Sequence, residues 1–147
     1  MAYTTIDDPS AHFQVETYTG NSTSPRSVTL SGNSDMQPDW TWIKTRTGPY
    51  YHYLFDSSRY SGSSYYRLIS SETSSEYVDS VSQLTAFNTD GFTLEGSGSM
   101  ANVNWSTQNY VAWNWKANGG TTSSNTDGDI TSTVQVNQDA GFSIVTD

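Results

Sequence analysis

Residues 110–120 read Tyr-Val-Ala-Trp-Asn-Trp-Lys-Ala-Asn-Gly-Gly. Val111, Trp113 and Trp115 alternate with the residues between them, and a period of two is the period of a β-strand. The Gly-Gly pair suits a turn with positive backbone angles, so it should end the strand. Because two tryptophans on one strand face are costly to leave in water, we expect Val111, Trp113 and Trp115 to face the protein core.

The rest of the chain repeats this pattern of short strands between turn signals. Apolar or aromatic runs begin near Phe13, Trp40 and Tyr65, and the Asn-Thr-Asp-Gly sequence at 88–91 is typical of a hairpin turn. No convincing amphipathic helix accompanies them. We therefore predict an all-β protein, an antiparallel β-sandwich or jelly roll of about nine or ten short strands. Residues 1–12 are predicted to form an extended N-terminal arm, and residues 13–147 a single β-sandwich domain.

Charge and composition exclude several classes of function. The net charge is −9, and the six basic residues are scattered singly, so the basic stripe that nucleic-acid binding requires is missing. Cysteine is absent, which excludes disulfides, thiolate metal sites and a cysteine nucleophile. No run approaches the roughly 18 apolar residues of a membrane span, and the N-terminus lacks the apolar segment of a signal peptide. We expect no membrane insertion and assembly in a cytoplasm.

Catalytic patterns are weak. The two histidines, His12 and His52, lie in unlike surroundings, and no serine has the Gly-x-Ser-x-Gly context of a nucleophile elbow. Glu72 and Glu76 lie in a serine-rich segment and not on one aromatic strand face, where a glycosidase would need its two carboxylates. The prediction is a protein that is not an enzyme and uses no cofactor.

A weak metal-like pattern occurs at Asn125, Asp127 and Asp129. Oxygen ligands at alternate positions resemble the start of a Ca²⁺-binding loop, but the distal bidentate glutamate is missing. A solvated Asp-Gly turn before the next strand is the favoured interpretation.

Binding has better support in residues 48–71, which are rich in tyrosine, serine and glycine. Rigid amphipathic tyrosine rings give contact area at a low entropy cost, as in antibody paratopes, and they also stack on sugar rings. The alternative is that these rings cover an outer sheet face or lie at subunit contacts. The candidate ligand- or partner-binding residues are Tyr50, Tyr51, Tyr53, Arg59, Tyr60, Tyr65, Tyr66 and Arg67.

Several stretches in order along the chain carry a family resemblance. They are Tyr3–Pro9, Tyr18–Asn21, Gln37–Lys44, Leu54–Arg59, Asn88–Phe92, Tyr110–Lys116 with Gly119-Gly120, and Ala140–Thr146. Together they resemble a domain found in structural proteins of tailed phages of marine bacteria. The resemblance implies a concanavalin-like β-sandwich on the virion exterior, in a tail fibre or other surface appendage. Members of that group are often longer, and no catalytic or ligand residues can be carried over from them.

On this resemblance we expect a non-enzymatic virion structural protein, most simply a tail-fibre or adhesin-type component attached through its N-terminal arm. Two alternatives stay open: a capsid decoration (cement) protein, and a carbohydrate-binding module that recognises a host-surface glycan. The expected partners are other virion proteins of the capsid or tail and further copies of the chain, a trimer being the usual state of a fibre. A host-surface glycan is a further candidate partner.

Overall fold

A computed structural model describes residues 6–78, 83–95 and 103–147 of the protein. Within these residues the chain forms one short 3₁₀ turn, Pro9–Ala11, and eleven β-strands. No helix in the described part of the chain is long and apolar enough to cross a membrane. The strands are β1 (Phe13–Thr19), β2 (Arg26–Val28), β3 (Trp40–Thr45), β4 (His52–Tyr60), β5 (Tyr65–Ile69), β6 (Gln83–Asn88), β7 (Gly91–Glu95), β8 (Asn109–Trp115), β9 (Ser123–Asn125), β10 (Ser132–Asn137) and β11 (Phe142–Thr146).

The strands form three antiparallel sheets. The largest has five strands in the order β1-β8-β3-β4-β5, and a three-stranded sheet, β2-β7-β6, packs against its inner face. A third sheet, β11-β10-β9, packs at one end of the outer face of the five-stranded sheet. The predicted all-β antiparallel sandwich is confirmed.

The core lies between the five-stranded sheet and the β2-β7-β6 sheet. Complete burial of a large apolar side chain contributes about 1.5–3 kcal/mol, and aromatic side chains supply much of this burial here. Tyr18 and Tyr110 stack at 5.1 Å between ring centroids, and Phe92 from the facing sheet meets Tyr18 edge-on at 6.5 Å. The buried core residues are Val28, Ile43, Tyr53, Phe55, Ile69, Leu84, Phe92, Leu94, Val103, Tyr110 and Ala112.

The inner face of β8 is the opposite of the one predicted. Tyr110, Ala112 and Asn114 are buried, whereas the tryptophans of this strand are only half-buried on the outer face. Asn114 tolerates burial because its side chain accepts a hydrogen bond from Thr41 Oγ1 at 2.9 Å and donates to backbone carbonyls. The prediction that Val111, Trp113 and Trp115 face the core is therefore wrong. A polar residue whose hydrogen bonds are satisfied does not mark the exposed face of a strand.

The N-terminal segment is docked on the sandwich over residues 8–12. Asp8 accepts hydrogen bonds from Ser10 and from Ser34 Oγ and Asn33 Nδ2, which hold the pKa of its carboxyl well below the usual range. The His12 ring lies 2.9 Å from Asn137 Nδ2 of β10. This part of the predicted arm is thus packed and partly 3₁₀-helical, while residues 1–5 lie outside the described residues.

The turn after β8 wraps around the buried carboxylate of Asp39. Asp39 Oδ2 accepts from the backbone N–H groups of Ala117 (2.7 Å) and Gly119 (2.9 Å). Asp39 Oδ1 accepts from the N–H of Gly120 (2.9 Å) and from Ser57 Oγ of β4 (2.7 Å). One side chain thereby connects the start of β3, the end of β8 and the middle of β4.

Gln135 of β10 connects the third sheet to the same turn. Its Oε1 accepts from the backbone N–H groups of Asn118 (3.0 Å) and Gly120 (2.9 Å). Its Nε2 donates to the hydroxyls of Ser57 and Ser58, each at 3.0 Å. Gln135 is almost fully buried, at 1% exposure, so the junction between the third sheet and the sandwich is a satisfied polar network.

The hairpin between β6 and β7 has the geometry that the sequence predicts, with Asn88 paired to Gly91. Gly91 has φ +116°, a conformation that side-chain-bearing residues rarely adopt. A Cβ atom at this position would also lie 2.0 Å from the carbonyl oxygen of Val28. Both the turn and the close approach of β2 therefore require glycine.

Replacing Asp39 with asparagine should lower the free energy of unfolding by about 3 kcal/mol, because the amide NH₂ would face backbone donors and leave them unpaired. Urea unfolding followed by tryptophan fluorescence measures this change. Asp127→Asn, at an exposed position, is the matched control and should stay within about 0.5 kcal/mol of the parent. An Asp39→Asn variant as stable as the control would contradict the role given to this carboxylate.

Gly91→Ala should cost more stability than the same substitution at Gly62. Gly62 also has a positive φ, +95°, but no atom lies within 4 Å of its added Cβ. Gly62→Ala should therefore cost only backbone strain, about 1 kcal/mol. Gly91→Ala adds the clash with Val28 and should cost at least about 2 kcal/mol more. Equal melting temperatures for the two variants would show that the clash relaxes without cost.

Candidate functional site

The outer face of the five-stranded sheet carries a cluster of large aromatic rings from three neighbouring strands. Trp40 and Trp42 of β3 lie opposite Trp115 and Trp113 of β8, and Phe13 of β1 lies opposite Trp115. These five residues are called the aromatic face below. Their side chains share one side of the sheet because their registers coincide and alternate residues point the same way.

Tilted contacts between neighbouring rings fix the orientation of these side chains. The centroid of Trp40 is 4.6 Å from that of Trp115 and 6.2 Å from that of Trp42, with interplanar angles of 50° and 57°. Trp42 and Trp113 are 5.4 Å apart at 53°, and Phe13 and Trp115 are 4.8 Å apart at 52°. Such tilted pairs are worth about 0.5–1.5 kcal/mol each beyond their buried area. The rings are thus held in place, although the tryptophans are only half-buried.

Phe142 of β11 covers one end of the aromatic face. Its ring lies 6.3 Å from Trp40 and 6.2 Å from Trp115, and it is nearly parallel to the Trp115 ring at 23°. A cavity lies on each side of it. The smaller one, about 340 Å³, is mainly apolar and is lined by Ile6, Pro9, His12, Phe13, Trp115, Ala140 and Phe142.

The larger cavity, called the cleft below, has a volume of about 730 Å³. That volume lies within the range of about 300–1,000 Å³ that is common for small-ligand sites. Every residue of β11 borders the cleft, because β11 pairs only with β10 among the described strands and turns its other edge towards the opening. The lining residues are Trp40, Asp56, Arg59, Leu68, Glu76, Phe142, Ser143, Ile144, Val145, Thr146 and Asp147.

An ion network forms the polar wall of the cleft. Arg59 donates through Nε to Asp56 Oδ2 at 2.7 Å, and a second guanidinium nitrogen lies 2.5 Å from the same oxygen. The remaining terminal nitrogen of Arg59 bonds to the Glu76 carboxylate. Asp56 is almost buried, with 5% of its side chain exposed, whereas Glu76 is 44% exposed. Asp56 therefore holds Arg59 from the buried side, while Arg59 and Glu76 are accessible to solvent.

His52 lies on the same outer face, beside Trp42. The indole N–H of Trp42 donates to His52 Nδ1 at 3.0 Å, so that nitrogen must be unprotonated. Burial, and then the nearby Lys44 ammonium, lower the pKa of the imidazole below its usual value. Lys44 itself donates to the backbone carbonyls of Thr45 and Gly48.

The structure does not gather the predicted tyrosine-rich site into one surface. Tyr53 is fully buried and Arg67 is 4% exposed, so both side chains belong to the interior. The Arg67 guanidinium lies 4.8 Å from the Tyr53 ring and 4.4 Å from the Tyr77 ring, and it donates to the Tyr77 hydroxyl at 2.6 Å. These contacts give the two residues a packing role.

The other predicted residues are spread over different contacts. Tyr50 packs edge-on against Trp105 at 5.9 Å, and Tyr60 packs against Tyr65 at 4.9 Å. Tyr51 is 45% exposed and Tyr66 is half-buried. Arg59 is the member of the predicted set that lines the cleft, and ligand binding by the exposed tyrosines stays a prediction.

Sequence reasoning missed the two aromatic residues of the cleft, Trp40 and Phe142. A signal existed for Trp40, because Trp40 and Trp42 share one face of a strand in the same way as Trp113 and Trp115. Nothing in the sequence indicated that Phe142 would lie over that face, because the contact joins strands that are about a hundred residues apart.

The weak metal pattern forms a local turn. The backbone N–H of Asp127 donates to Asn125 Oδ1 at 3.1 Å, as expected for an aspartate- or asparagine-initiated turn. Asp129 is exposed. Among the described residues, no group of three or more histidine, aspartate or glutamate side chains could hold a metal ion.

Comparison with known proteins places the chain in a family. Residues 8–147 match the family model described as a domain of unknown function, DUF7483, so the chain belongs to that family. The match begins at the residue where the docked N-terminal segment begins. No curated protein and no solved structure matches the chain.

The imidazole of His52 should titrate below pH 6.5 in the folded protein, and NMR measures the midpoint directly. A lowered pKa means that the folded state favours the neutral ring. The contribution of His52 to stability is therefore fully present above pH 6.5 and is lost as the pH falls through the folded-state pKa. Lys44→Met should raise the midpoint, because it removes a neighbouring positive charge. A midpoint at or above 6.5 in the parent protein would contradict the assigned environment.

Proposed function

We propose that this chain is a non-enzymatic structural protein of a bacteriophage particle, a tail-fibre or adhesin-type module on the exterior of the virion. The observation that carries the proposal is the outer face of the five-stranded sheet, which keeps large apolar side chains only partly covered. Phe13, Val15 and Leu68 on this face are 39%, 46% and 37% exposed. Large apolar side chains left partly exposed on one sheet face are typical of proteins that function in contact with a partner.

The sequence resemblance supports the same proposal. Two of the stretches that resemble phage appendage proteins, Gln37–Lys44 and Tyr110–Lys116, contain the four tryptophans of the aromatic face. The resemblance and the partly exposed aromatic face therefore involve the same residues. In a fibre, that partner would be another copy of the chain or a neighbouring virion protein, and a trimer is the expected oligomer.

The geometry also fits a binding module better than an enzyme. Two of the acidic side chains that line the cleft, Asp56 and Glu76, bond to the same guanidinium. A glycosidase instead needs two carboxyl groups on opposite sides of a glycosidic bond, about 5–9.5 Å apart. In this cleft Asp56 and Glu76 are instead joined to each other through Arg59.

Immunogold electron microscopy tests the proposed location. Antibody raised against the purified chain should label intact particles of a phage that encodes it, at the tail or its appendages. Particles of an unrelated phage that lacks the gene are the control and should stay unlabelled. Label on the capsid surface would favour a decoration protein instead, and purified particles without label would overturn the virion role.

A further inference from the structure

The cleft combines an apolar wall with a hydrogen-bonding wall. Trp40 and Leu68 project from the outer face of the sheet, while Arg59 and Glu76 form the polar wall. A pyranose ring has the matching form, since its C–H groups make an apolar face and its hydroxyls make a polar edge. Amphipathic aromatic side chains serve such ligands because one ring surface replaces water over the apolar face.

We propose that the cleft is a binding site for a saccharide without negative charge, in which Trp40 stacks on a sugar ring and Arg59 and Glu76 hold its hydroxyls. The proposal deepens the proposed function, since a virion module of this kind would meet such a saccharide on the host surface. The proposed binding site is the cleft and not the tyrosine-rich stretch predicted from the sequence. Arg59 belongs to both sets of residues.

Trp40 is preorganised for stacking. Its indole is held between Trp115 at 4.6 Å, Trp42 at 6.2 Å and Phe142 at 6.3 Å. Because the ring is already fixed, a ligand that stacks on its exposed part loses little side-chain entropy to the protein. The half-buried tryptophan thereby gains a role beyond packing.

Arg59 and Glu76 can still contact a ligand, whereas Asp56 positions them. Asp56 Oδ2 accepts twice from the Arg59 guanidinium, and Oδ1 accepts from the backbone N–H groups of Ser58 and Arg59, both at 3.1 Å. Its oxygens are therefore occupied. The guanidinium uses three of its five N–H donors on described residues, so two N–H groups can serve sugar hydroxyls.

Among the described strands β11 pairs on one edge only, with β10, and its other edge supplies further hydrogen-bonding groups along the opposite wall. A strand edge presents backbone N–H and C=O groups in alternation. Sugar hydroxyls both donate and accept, so they can satisfy either group. A flat protein surface pressed against this wall would leave some of the charged groups of Arg59 and Glu76 without partners, which is costly. The mixed polarity therefore favours a saccharide over a protein partner.

The charge of the cleft sets the class of saccharide. Asp56, Glu76 and Asp147 line it together with a single cation, Arg59, and the whole chain carries a net charge of −9. Acidic polysaccharides are repelled by such a surface. Neutral and amino-substituted sugars are not.

Affinity electrophoresis tests the proposal with the purified full chain. Native gels containing dextran, laminarin, mannan or agarose provide neutral polymers, and gels containing alginate provide an acidic one. We expect retardation by at least one neutral polymer and none by alginate. Retardation by alginate alone, or by no neutral polymer, would overturn the proposal.

Variants locate the binding on the protein. Trp40→Ala and Glu76→Ala should each weaken binding at least about tenfold, the loss expected when a central contact of a site is truncated. Glu72→Ala, at an exposed glutamate outside the cleft lining, is the matched control for Glu76→Ala and should stay within about twofold of the parent. Because Trp40→Ala also removes packing, Glu76→Ala at its 44% exposed position keeps the test independent of folding. Unchanged binding in Glu76→Ala together with Trp40→Ala would overturn the assignment to the cleft.

The saccharide-binding tests and the particle-labelling test can give different answers, so the two proposals can fail separately. A chain that labels phage tails but binds none of the neutral polymers leaves the structural role intact and rejects the saccharide site. If another purified virion protein is instead found to bind in the cleft, the cleft is a subunit contact and the saccharide proposal fails.

Discussion

The arrangement of the five-stranded sheet and the β11-β10-β9 sheet depends on the buried carboxylate of Asp39. Its hydrogen-bond donors among the described residues are the backbone N–H groups of Ala117, Gly119 and Gly120 and the Ser57 hydroxyl, and none of them is a cation. A buried anion is stable only when such donors are already in place. These bonds hold the turn after β8, and the positive φ angles of +62° and +79° favour glycine at Gly119 and Gly120.

Much of the fold could be predicted from the sequence, because strand periodicity is a local property. The runs predicted to begin near Trp40 and Tyr65 form β3 and β5, which begin at those residues, and the hairpin at Gly91 forms as its turn sequence indicates. The short strand β9, Ser123–Asn125, was missed because it has no apolar residue to give a period. The sheet order was also out of reach, since β8 lies between β1 and β3 through contacts that only the folded chain brings together.

The site was much less predictable than the strands. The alternation in β8 established two faces but could not tell which one is the core. Trp113 and Trp115 looked like core residues because their side chains are apolar and Asn114 between them is polar. The burial of Asn114 could not be foreseen, because it depends on a hydrogen bond from Thr41, 73 residues away. The tyrosine-rich stretch looked like one surface because its residues are close in sequence. In the structure, Tyr53 and Arg67 turn inwards while Arg59 turns towards the cleft. Composition identified the residue types that bind ligands, but only the sheet register places them.

The fold and the cleft are linked through one chain of contacts. Asp39 fixes the turn at Gly120, and Gln135 bonds to the same turn and thereby positions β10. Strand β10 pairs with β11, which carries Phe142 onto Trp40 and Trp115. The opposite wall of the cleft, Arg59, is attached to β4, whose Ser57 also bonds to Asp39. Both walls of the cleft are therefore connected by hydrogen bonds to the Asp39 carboxylate. This explains how a small third sheet with few apolar contacts of its own can hold a cleft of defined width over the aromatic face.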